Sequence, residues 1–287
     1  MHRPPRAVAV VTHSHPKRLG DALRFLLRRC EAAGIAVVVD PEEAARNGFA
    51  SGRAVRIARH PAPEVDLCLV LGGDGSILRA LRYYAQTGVA VFGINFGEVG
   101  FLATVEGRGG GLEAGVEAAL AGRFALLSLP ALAFELAGRA QHAFNDVAVH
   151  RRAGDRVAQL AYELDGEELG RVRCDGLVAA TPAGSTGYNL ANGGPVMAWG
   201  VAGFAVSFIA AHSLAARPLV VAPDSTLTVV NRAAGPLEVT VDGRLVGELA
   251  GESSLAITYL AKAGLLAQLP GTTFYRRLRE KFGLLAR

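Results

Sequence analysis

The feature that most constrains the fold is an alternation of short apolar runs with stretches of helical spacing. The runs are rich in β-branched residues and leucine and cover residues 7–11, 35–40, 65–71 and 89–95. Helical spacing occupies 19–33, where Gly34 ends it, and 76–87. Such runs are typical of buried parallel strands, and alternating β and α units predict a doubly wound parallel sheet. Residues 42–64 are irregular and carry no prediction.

Beyond Gly122 the pattern changes to short alternating or β-branched runs separated by turn signals. Asp-Gly pairs at 165–166 and 242–243 are typical of hairpin turns, so this part is expected to be mostly antiparallel β. The last stretch returns to helical spacing. The sequence thus predicts an α/β domain over 1–124, a β-rich domain over 125–268, and a C-terminal helix over 269–287 that packs on the first domain.

Composition limits the class of protein. The 287 residues are 51% hydrophobic and 20% charged, as expected for a globular protein with a sizeable core. No run reaches the roughly 18 apolar residues of a membrane helix. The three cysteines are far apart and form no CxxC pair, which fits a reducing cytoplasm. The basic residues are scattered without interleaved aromatics, so neither a membrane nor a nucleic acid is an expected partner.

Three glycines surround one acid where the third apolar run ends, in LGGDGSIL (71–78). Gly72, Gly73 and Gly75 allow something to approach the main chain closely, and the amides of the next helix are available to an anion. The spacing is neither G-x-G-x-x-G nor G-K-[ST]. Asp74 beside phosphates needs a metal or a proton-transfer role; the alternative is an N-cap in a tight turn.

A second glycine-rich turn follows the next apolar run, in FGINFGEVGFLAT (92–104). Phe101 and Leu102 are either an apolar ledge on which a base could stack or core residues after a turn. Loops that follow neighbouring parallel strands line one crevice at the carboxyl edge of the sheet. The two glycine-rich turns are therefore expected to lie together.

Polar residues interrupt two later apolar runs. Asn145 and Asp146 in FNDVAVHR would be costly if buried without partners, so they meet partners, face a ligand or form an Asx turn. The stretch 171–195, RVRCDGLVAATPAGSTGYNLANGGP, is dense in hydroxyls, amides and glycines, which is typical of a polar ligand-binding loop. Arg173 in it could meet a phosphate.

The histidines and serines indicate no further chemistry. His212 lies in an apolar region and is predicted to be a core histidine, whereas His13 and His15 follow the first strand and could face the crevice. No histidine pair suggests a metal site, and no G-x-S-x-G elbow favours serine hydrolysis.

With these stretches in this order, the chain resembles the NAD kinases, which phosphorylate the adenosine-ribose 2′-hydroxyl of NAD to make NADP. The resemblance spans residues 71–244 and rests on LGGDGSILRA, FGINFGEVGFLA, FNDVAVHR, RCDGLVAATPAGSTGYNLANGGP, HSLAARPLVV and VTVDGR. The Gly-Gly-Asp-Gly box alone is shared with lipid and sugar kinases. The long polar stretch is far more specific.

The resemblance implies roles for particular residues. Asp74 is the general base, or the metal-assisted carboxylate, for the 2′-hydroxyl, and the glycines around it cradle the donor phosphates. For NAD it implies contacts from Phe101 and Leu102 near the adenine or its ribose, from the Asn145–Asp146 pair, from Arg173 and Asp175 near the added phosphate and the nicotinamide end, and from Thr186, Tyr188 and Asn189.

The resemblance also implies Mg²⁺ or another divalent cation, ATP or inorganic polyphosphate as donor, and assembly into a homodimer or homotetramer. Two other functions stay open. One is another Gly-Gly-Asp-Gly kinase acting on a lipid or sugar, and the other is a catalytically silent NAD-binding regulator.

Overall fold

The structure, a computed structural model, describes residues 2–13, 19–52, 55–97, 100–108, 110–213 and 216–283. It divides the chain into two units. The first comprises residues 1–128 and 264–287, and the second comprises residues 129–263.

The helices are α1 (Gly20–Ala32), α2 (Pro41–Asn47), α3 (Asp74–Tyr83), α4 (Gly111–Leu120), α5 (Tyr188–Ala191) and α6 (Phe274–Phe282). The strands up to the second unit are β1 (Ala7–Thr12), β2 (Ala36–Val39), β3 (Val55–Ile57), β4 (Leu67–Leu71), β5 (Ala90–Asn95), β6 (Val105–Glu106) and β7 (Ala125–Leu136). The later strands are β8 (Arg139–Ala143), β9 (Asp146–His150), β10 (Ala158–Leu164), β11 (Glu167–Cys174), β12 (Gly176–Ala180), β13 (Phe204–Ile209), β14 (Leu219–Val221), β15 (Leu227–Asn231), β16 (Leu237–Val241), β17 (Arg244–Leu249) and β18 (Ser254–Gln268).

The sheet of the first unit is parallel and has the order β3-β2-β1-β4-β5, with the carboxyl end of β18 beside β5. The chain starts in the middle of this sheet and adds strands on both sides, which confirms the doubly wound α/β prediction. The strand order reverses between β1 and β4. Ligands of open α/β sheets bind at such a point, beyond the carboxyl ends of the strands.

The local sequence explains the buried strands, and it also contains a signal for helix α2, which was not predicted. Strands β1 and β4 are buried at every position, as their continuous apolar runs predict. The stretch 42–64, which carried no prediction, contributes to α2 and contains β3. The signal for α2 was present, because the Asp40 side chain caps the helix and Pro41 occupies its first turn.

A buried polar cluster fixes two helices to the carboxyl end of β1. Glu43 of α2 is 4% exposed, and its carboxylate accepts hydrogen bonds from Thr12 Oγ1 at 2.5 Å and from Arg79 Nη2 at 2.6 Å. Arg79 of α3 also donates to the Thr12 carbonyl at 2.7 Å. A buried carboxylate requires such partners. The cluster holds the helix that begins at Asp74 in place beside the crevice.

The second unit is antiparallel, as predicted. One sheet has the order β14-β13-β12-β9-β16-β17, and β11, β10, β15 and the beginning of β18 form another ladder. Apolar side chains from both, such as Leu177, Phe204 and Leu160, form one core. The predicted turns at 165–166 and 242–243 have positive φ at both residues, as expected for a type I′ hairpin.

Helix α6 belongs to the first unit, as its predicted return to the first domain requires. The Phe274 and Phe282 rings lie 6.2 and 6.1 Å from the Phe101 ring, centroid to centroid. Among the helices of the described residues, none has the length and apolar character to cross a membrane.

Candidate functional site

The glycines that follow β4 differ in what the fold demands of them. A Cβ on Gly72 would lie 2.6 Å from Ser76 Oγ, so packing alone requires glycine there. A Cβ on Gly75 would meet nothing within 4 Å, and one on Gly73 only Asn95 Oδ1 at 3.9 Å. Neither of these two has a positive φ. Gly75 thus leaves the backbone of the first turn of α3 uncovered although neither packing nor φ requires a glycine there.

Asp74 is the first residue of α3, and its carboxylate is held by a neighbouring loop. Oδ2 accepts a hydrogen bond from the Phe101 amide at 2.6 Å, and Oδ1 accepts one from the Leu102 amide at 3.0 Å. The N-cap is Gly73, which has no capping side chain, so the N-cap interpretation of Asp74 is wrong. A Cβ on Gly100 would lie 2.2 Å from Oδ1, so the glycine lets the loop close on this carboxylate.

Phe101 and Leu102 contribute amides to the site while their side chains are interior. The two side chains are 4% and 2% exposed, and the Phe101 ring packs against α6. Lys281 Nζ lies 4.9 Å from the centre of that ring. The ring therefore offers no exposed ledge in the described residues. Contact of Phe101 with a base stays a prediction.

A second carboxylate organises the turn that precedes β9. Asp242 Oδ1 accepts hydrogen bonds from the Asn145 amide at 2.7 Å and the Asp146 amide at 3.2 Å, and Oδ2 accepts one from the Phe144 amide at 3.4 Å. Sequence reasoning used Asp242 only as a turn signal. Its presence in VTVDGR was the available sign of a further role.

Asn145 carries a buried polar atom without a described partner, and Asp146 is an ionisable residue that is itself buried. Asn145 Oδ1 is buried without a hydrogen-bond partner in the described residues, which argues against the Asx turn. Asp146 is 6% exposed. Burial, and to a lesser degree the Asp242 charge, raises the pKa of Asp146 to about 7. Buried groups of this kind are typical of a ligand site.

Asp146→Asn is expected to become more stable relative to the wild type as the pH rises. The pKa is about 7 in the folded chain and about 3.9 in an unfolded one, so folding favours the protonated carboxyl. The stability that this proton gives is complete below the unfolded pKa and is lost as the pH rises through the folded pKa. Asparagine does not ionise. The variant's free energy of unfolding, relative to wild type, should therefore rise by a few kcal/mol between about pH 4 and about pH 8.

Urea unfolding of both proteins at several pH values measures this difference. Asp224→Asn, which alters an exposed carboxylate of the same unit, is the matched control and should give a difference that hardly changes with pH. An Asp146→Asn difference as flat as the control's would contradict the raised pKa.

Much of the polar loop after β12 holds itself together. Thr181 Oγ1 donates to the Phe144 carbonyl at 2.6 Å, and the Met197 amide donates to Ser185 Oγ at 2.9 Å. The amide group of Asn189, which is fully buried, donates to the Ser185 and Pro195 carbonyls. These residues shape the loop. Within the described residues, Asn189 Oδ1 is buried and has no hydrogen-bond partner. A contact of Asn189 with NAD stays a prediction.

The exposed side of this loop opens on a cavity of about 320 Å³. Its lining includes Asp175 and Tyr188, both predicted site residues, together with His150, Arg151 and Glu238. Arg151 was not predicted. Its Nε and Nη2 bind the two Asp175 oxygens at 2.6 and 3.1 Å, and the hydrogen bonds with this guanidinium lower the pKa of Asp175. The structure thus brings an oriented carboxylate and an aromatic hydroxyl to one cavity.

The remaining residues singled out from the sequence are Arg173, Thr186 and three histidines, His13, His15 and His212. Arg173 is exposed and Thr186 is half-buried; no described contact tests their binding roles. His212 is exposed, because β13 has already ended at Ile209, so the prediction of a core histidine is wrong. His13 is half-buried after β1, and His15 lies outside the described residues. Among the described residues, no three His, Cys, Asp or Glu side chains are grouped to hold a metal.

Comparisons with known proteins give consistent matches. Family models of the ATP-NAD kinase N-terminal and C-terminal domains match residues 13–109 and 144–261. An NAD kinase of Symbiobacterium thermophilum is 34% identical over 286 residues, which cover 96% of this chain and 98% of that one. The structure of an NAD kinase from Archaeoglobus fulgidus in complex with ATP matches with a TM-score of 0.70 and 26% identity over 98% of each chain. Yeast NADH kinase complexed with NADH matches with a TM-score of 0.86 over all of this chain and 90% of that one; at 21% identity this is a likeness of fold.

Proposed function

The chain belongs to the NAD kinase family, and from that premise we propose which of its residues carry out the phosphoryl transfer. The reaction moves a phosphoryl group from ATP to the 2′-hydroxyl of the adenosine ribose of NAD and yields NADP. The new P–O bond forms at the ribose oxygen, and the bond between the terminal phosphorus of ATP and the oxygen of the departing ADP breaks. The proton of the 2′-hydroxyl needs an acceptor.

Asp74 is the proton acceptor. The observation that carries this assignment is the pair of amide hydrogen bonds that orient both of its oxygens. A carboxylate has about four lone-pair directions, so two bonds leave it able to accept a proton. A base fixed before the substrate arrives avoids part of the ordering that the reaction otherwise requires.

Gly73 and Gly75 leave the backbone at the start of α3 uncovered for the donor phosphates. The amides there and the positive end of the helix dipole favour an anion. ATP and inorganic polyphosphate both present phosphates that this cradle would bind, so ATP or polyphosphate is the proposed donor.

NAD is bound by groups of the second unit. Asn145 Oδ1 and the Asp146 carboxyl are buried, and Asp242 fixes the backbone that carries them. A carboxyl can bind both hydroxyls of a ribose, and Asn145 both donates and accepts. Arg173 and Asp175 are proposed to lie near the added phosphate and the nicotinamide end. Thr186, Tyr188 and Asn189 are proposed as further contacts with NAD.

Mg²⁺ suits this chain as an ion brought with the donor. When bound, it would neutralise phosphate charge during transfer. The described residues contain no cluster of three His, Cys, Asp or Glu side chains placed to hold a metal, so Asp74 and the donor phosphates are the ligands at hand. Mg²⁺ commonly binds through one or two carboxylates and substrate phosphates.

Assembly into homodimers or homotetramers in the cytoplasm is proposed from the family resemblance, and light scattering of the purified chain tests the assembly.

The deciding experiment is an NADP-formation assay on the purified chain with Mg²⁺, in which ATP and polyphosphate are offered separately. We expect NADP from NAD with at least one donor. Diacylglycerol and fructose phosphate, offered as acceptors in parallel, test the other Gly-Gly-Asp-Gly kinases and should give no product. NAD binding without NADP from either donor would support the catalytically silent regulator and overturn the proposal.

A further inference from the structure

We propose that Arg277 and Gln268 are positioning residues that hold the loop amides on Asp74, so that α6 serves the phosphoryl transfer without touching substrate. The inference rests on the proposed function of Asp74. Arg277 Nη1 donates to the Gly100 carbonyl at 3.2 Å. That carbonyl belongs to the same peptide group whose N–H, on Phe101, donates to Asp74 at 2.6 Å. One rigid peptide therefore joins the guanidinium to the carboxylate.

Gln268 closes the arrangement from the end of β18. Its Nε2 donates to the Leu102 carbonyl at 3.1 Å, and its Oε1 accepts from Arg277 Nη2 at 3.2 Å. Leu102 supplies the second amide that binds Asp74, at 3.0 Å. The two side chains thus grip the loop on both sides of the amides that orient the carboxylate.

The burial of these two side chains explains why the hydrogen bonds to the loop require a guanidinium group. Arg277 is 8% exposed and Gln268 is 6% exposed. A buried guanidinium is costly unless its donors are used, and its planar fork reaches a backbone carbonyl and a side-chain oxygen at once. Its charge also polarises the Gly100 peptide, which makes the Phe101 N–H a better donor. A helix that only covered the aromatic cluster around Phe101 would need no charge at this position.

The test compares Arg277→Met with Arg276→Met. Arg276 is the adjacent residue, exposed and paired with Glu280 on the surface, so it controls for loss of charge on α6. We expect Arg277→Met to lower kcat by about tenfold or more, because small displacements of a catalytic group have effects of this size. The KM for NAD and for ATP should stay within about twofold, since the proposed role of Arg277 is exerted through the loop and not by contact with a substrate. Arg277→Lys should restore part of kcat, and Arg276→Met should behave as wild type.

A double variant separates positioning from a merely structural role. If Arg277 acts through Asp74, adding Arg277→Met to Asp74→Asn should cause no further loss of turnover. An equal loss in both backgrounds would overturn the inference. Should Arg277→Met fail to fold, Gln268→Glu takes its place, because it keeps an oxygen for Arg277 but removes the donor to Leu102. Normal kcat in that variant would equally overturn it.

The outcomes also separate this inference from the function on which it rests. A wild-type chain that forms no NADP overturns the proposed function. An active wild type, with Asp74→Asn impaired and Arg277→Met unimpaired, overturns the positioning role alone.

Discussion

Asp74→Asn is expected to lower kcat for NADP formation by at least about a hundredfold, the usual scale of general acid–base catalysis. The carboxylate is held by the Phe101 and Leu102 amides and keeps lone pairs for the 2′-hydroxyl proton. An asparagine has almost the same shape but does not accept that proton. Steady-state kinetics on the purified variant, with NAD binding followed by calorimetry, measure both parts. The KM and Kd for NAD should change little.

Asp66→Asn is the matched control for this substitution. Asp66 lies in the same unit and, like Asp74, accepts hydrogen bonds from two backbone amides, those of Arg6 and Ala7, at 2.7 and 3.1 Å. It precedes β4, whereas Asp74 follows it, so the change should leave kcat near normal while it disturbs the backbone in a comparable way. Thermal melting of both variants tests that they fold. An Asp74→Asn enzyme whose turnover stays close to that of the Asp66→Asn enzyme would remove Asp74 from the mechanism.

The parts of the fold that sequence predicted are those decided by neighbouring residues. The runs at 65–71 and 89–95 contain β4 and β5 because a strand buried on both faces must be apolar throughout. The turn at 165–166 could be predicted because aspartate, like asparagine, and glycine both tolerate the positive φ that this turn requires. Such signals need no knowledge of the rest of the chain.

What could not be predicted depends on residues that are distant in sequence. The Phe101 and Leu102 amides reach Asp74 across 27 and 28 positions, and a pattern of residue types says nothing about backbone donors. The prediction that His212 is buried was wrong for a related reason. Its neighbours in the sequence are apolar, but the residue follows the end of β13 and is exposed. In both cases the outcome depends on the tertiary structure and not on the neighbouring residues in the sequence.

The glycines around Asp74 illustrate how the structure distinguishes residues that the sequence treats alike. Sequence treats Gly72 and Gly75 alike, as parts of one phosphate cradle. The structure separates them, because Gly72 is demanded by the nearby Ser76 side chain and Gly75 has open space around it. A substitution at Gly72 would thus report on folding. One at Gly75 would report on the ligand.

Asp242→Ala is expected to raise the KM for NAD by about tenfold or more and to lower stability by about 2–4 kcal/mol. The three amides that its carboxylate binds belong to Phe144, Asn145 and Asp146, so the substitution leaves donors unpaired next to the two residues proposed to grip NAD. It also removes one of the two causes that raise the pKa of Asp146. Kinetics with varied NAD and urea unfolding measure the two effects.

Asp165→Ala provides the matched control, because Asp165 occupies the equivalent position of another hairpin of the same unit. Its φ is 54° against 48° for Asp242, so alanine meets a similar backbone penalty at both sites. Asp165 is exposed and accepts hydrogen bonds from the Thr226 amide and the Ser225 side chain, neither of which belongs to the segment proposed to bind NAD. The KM for NAD should therefore be unaffected by Asp165→Ala. If both variants change the KM equally, the effect of Asp242 comes from the turn and not from the amides that it binds.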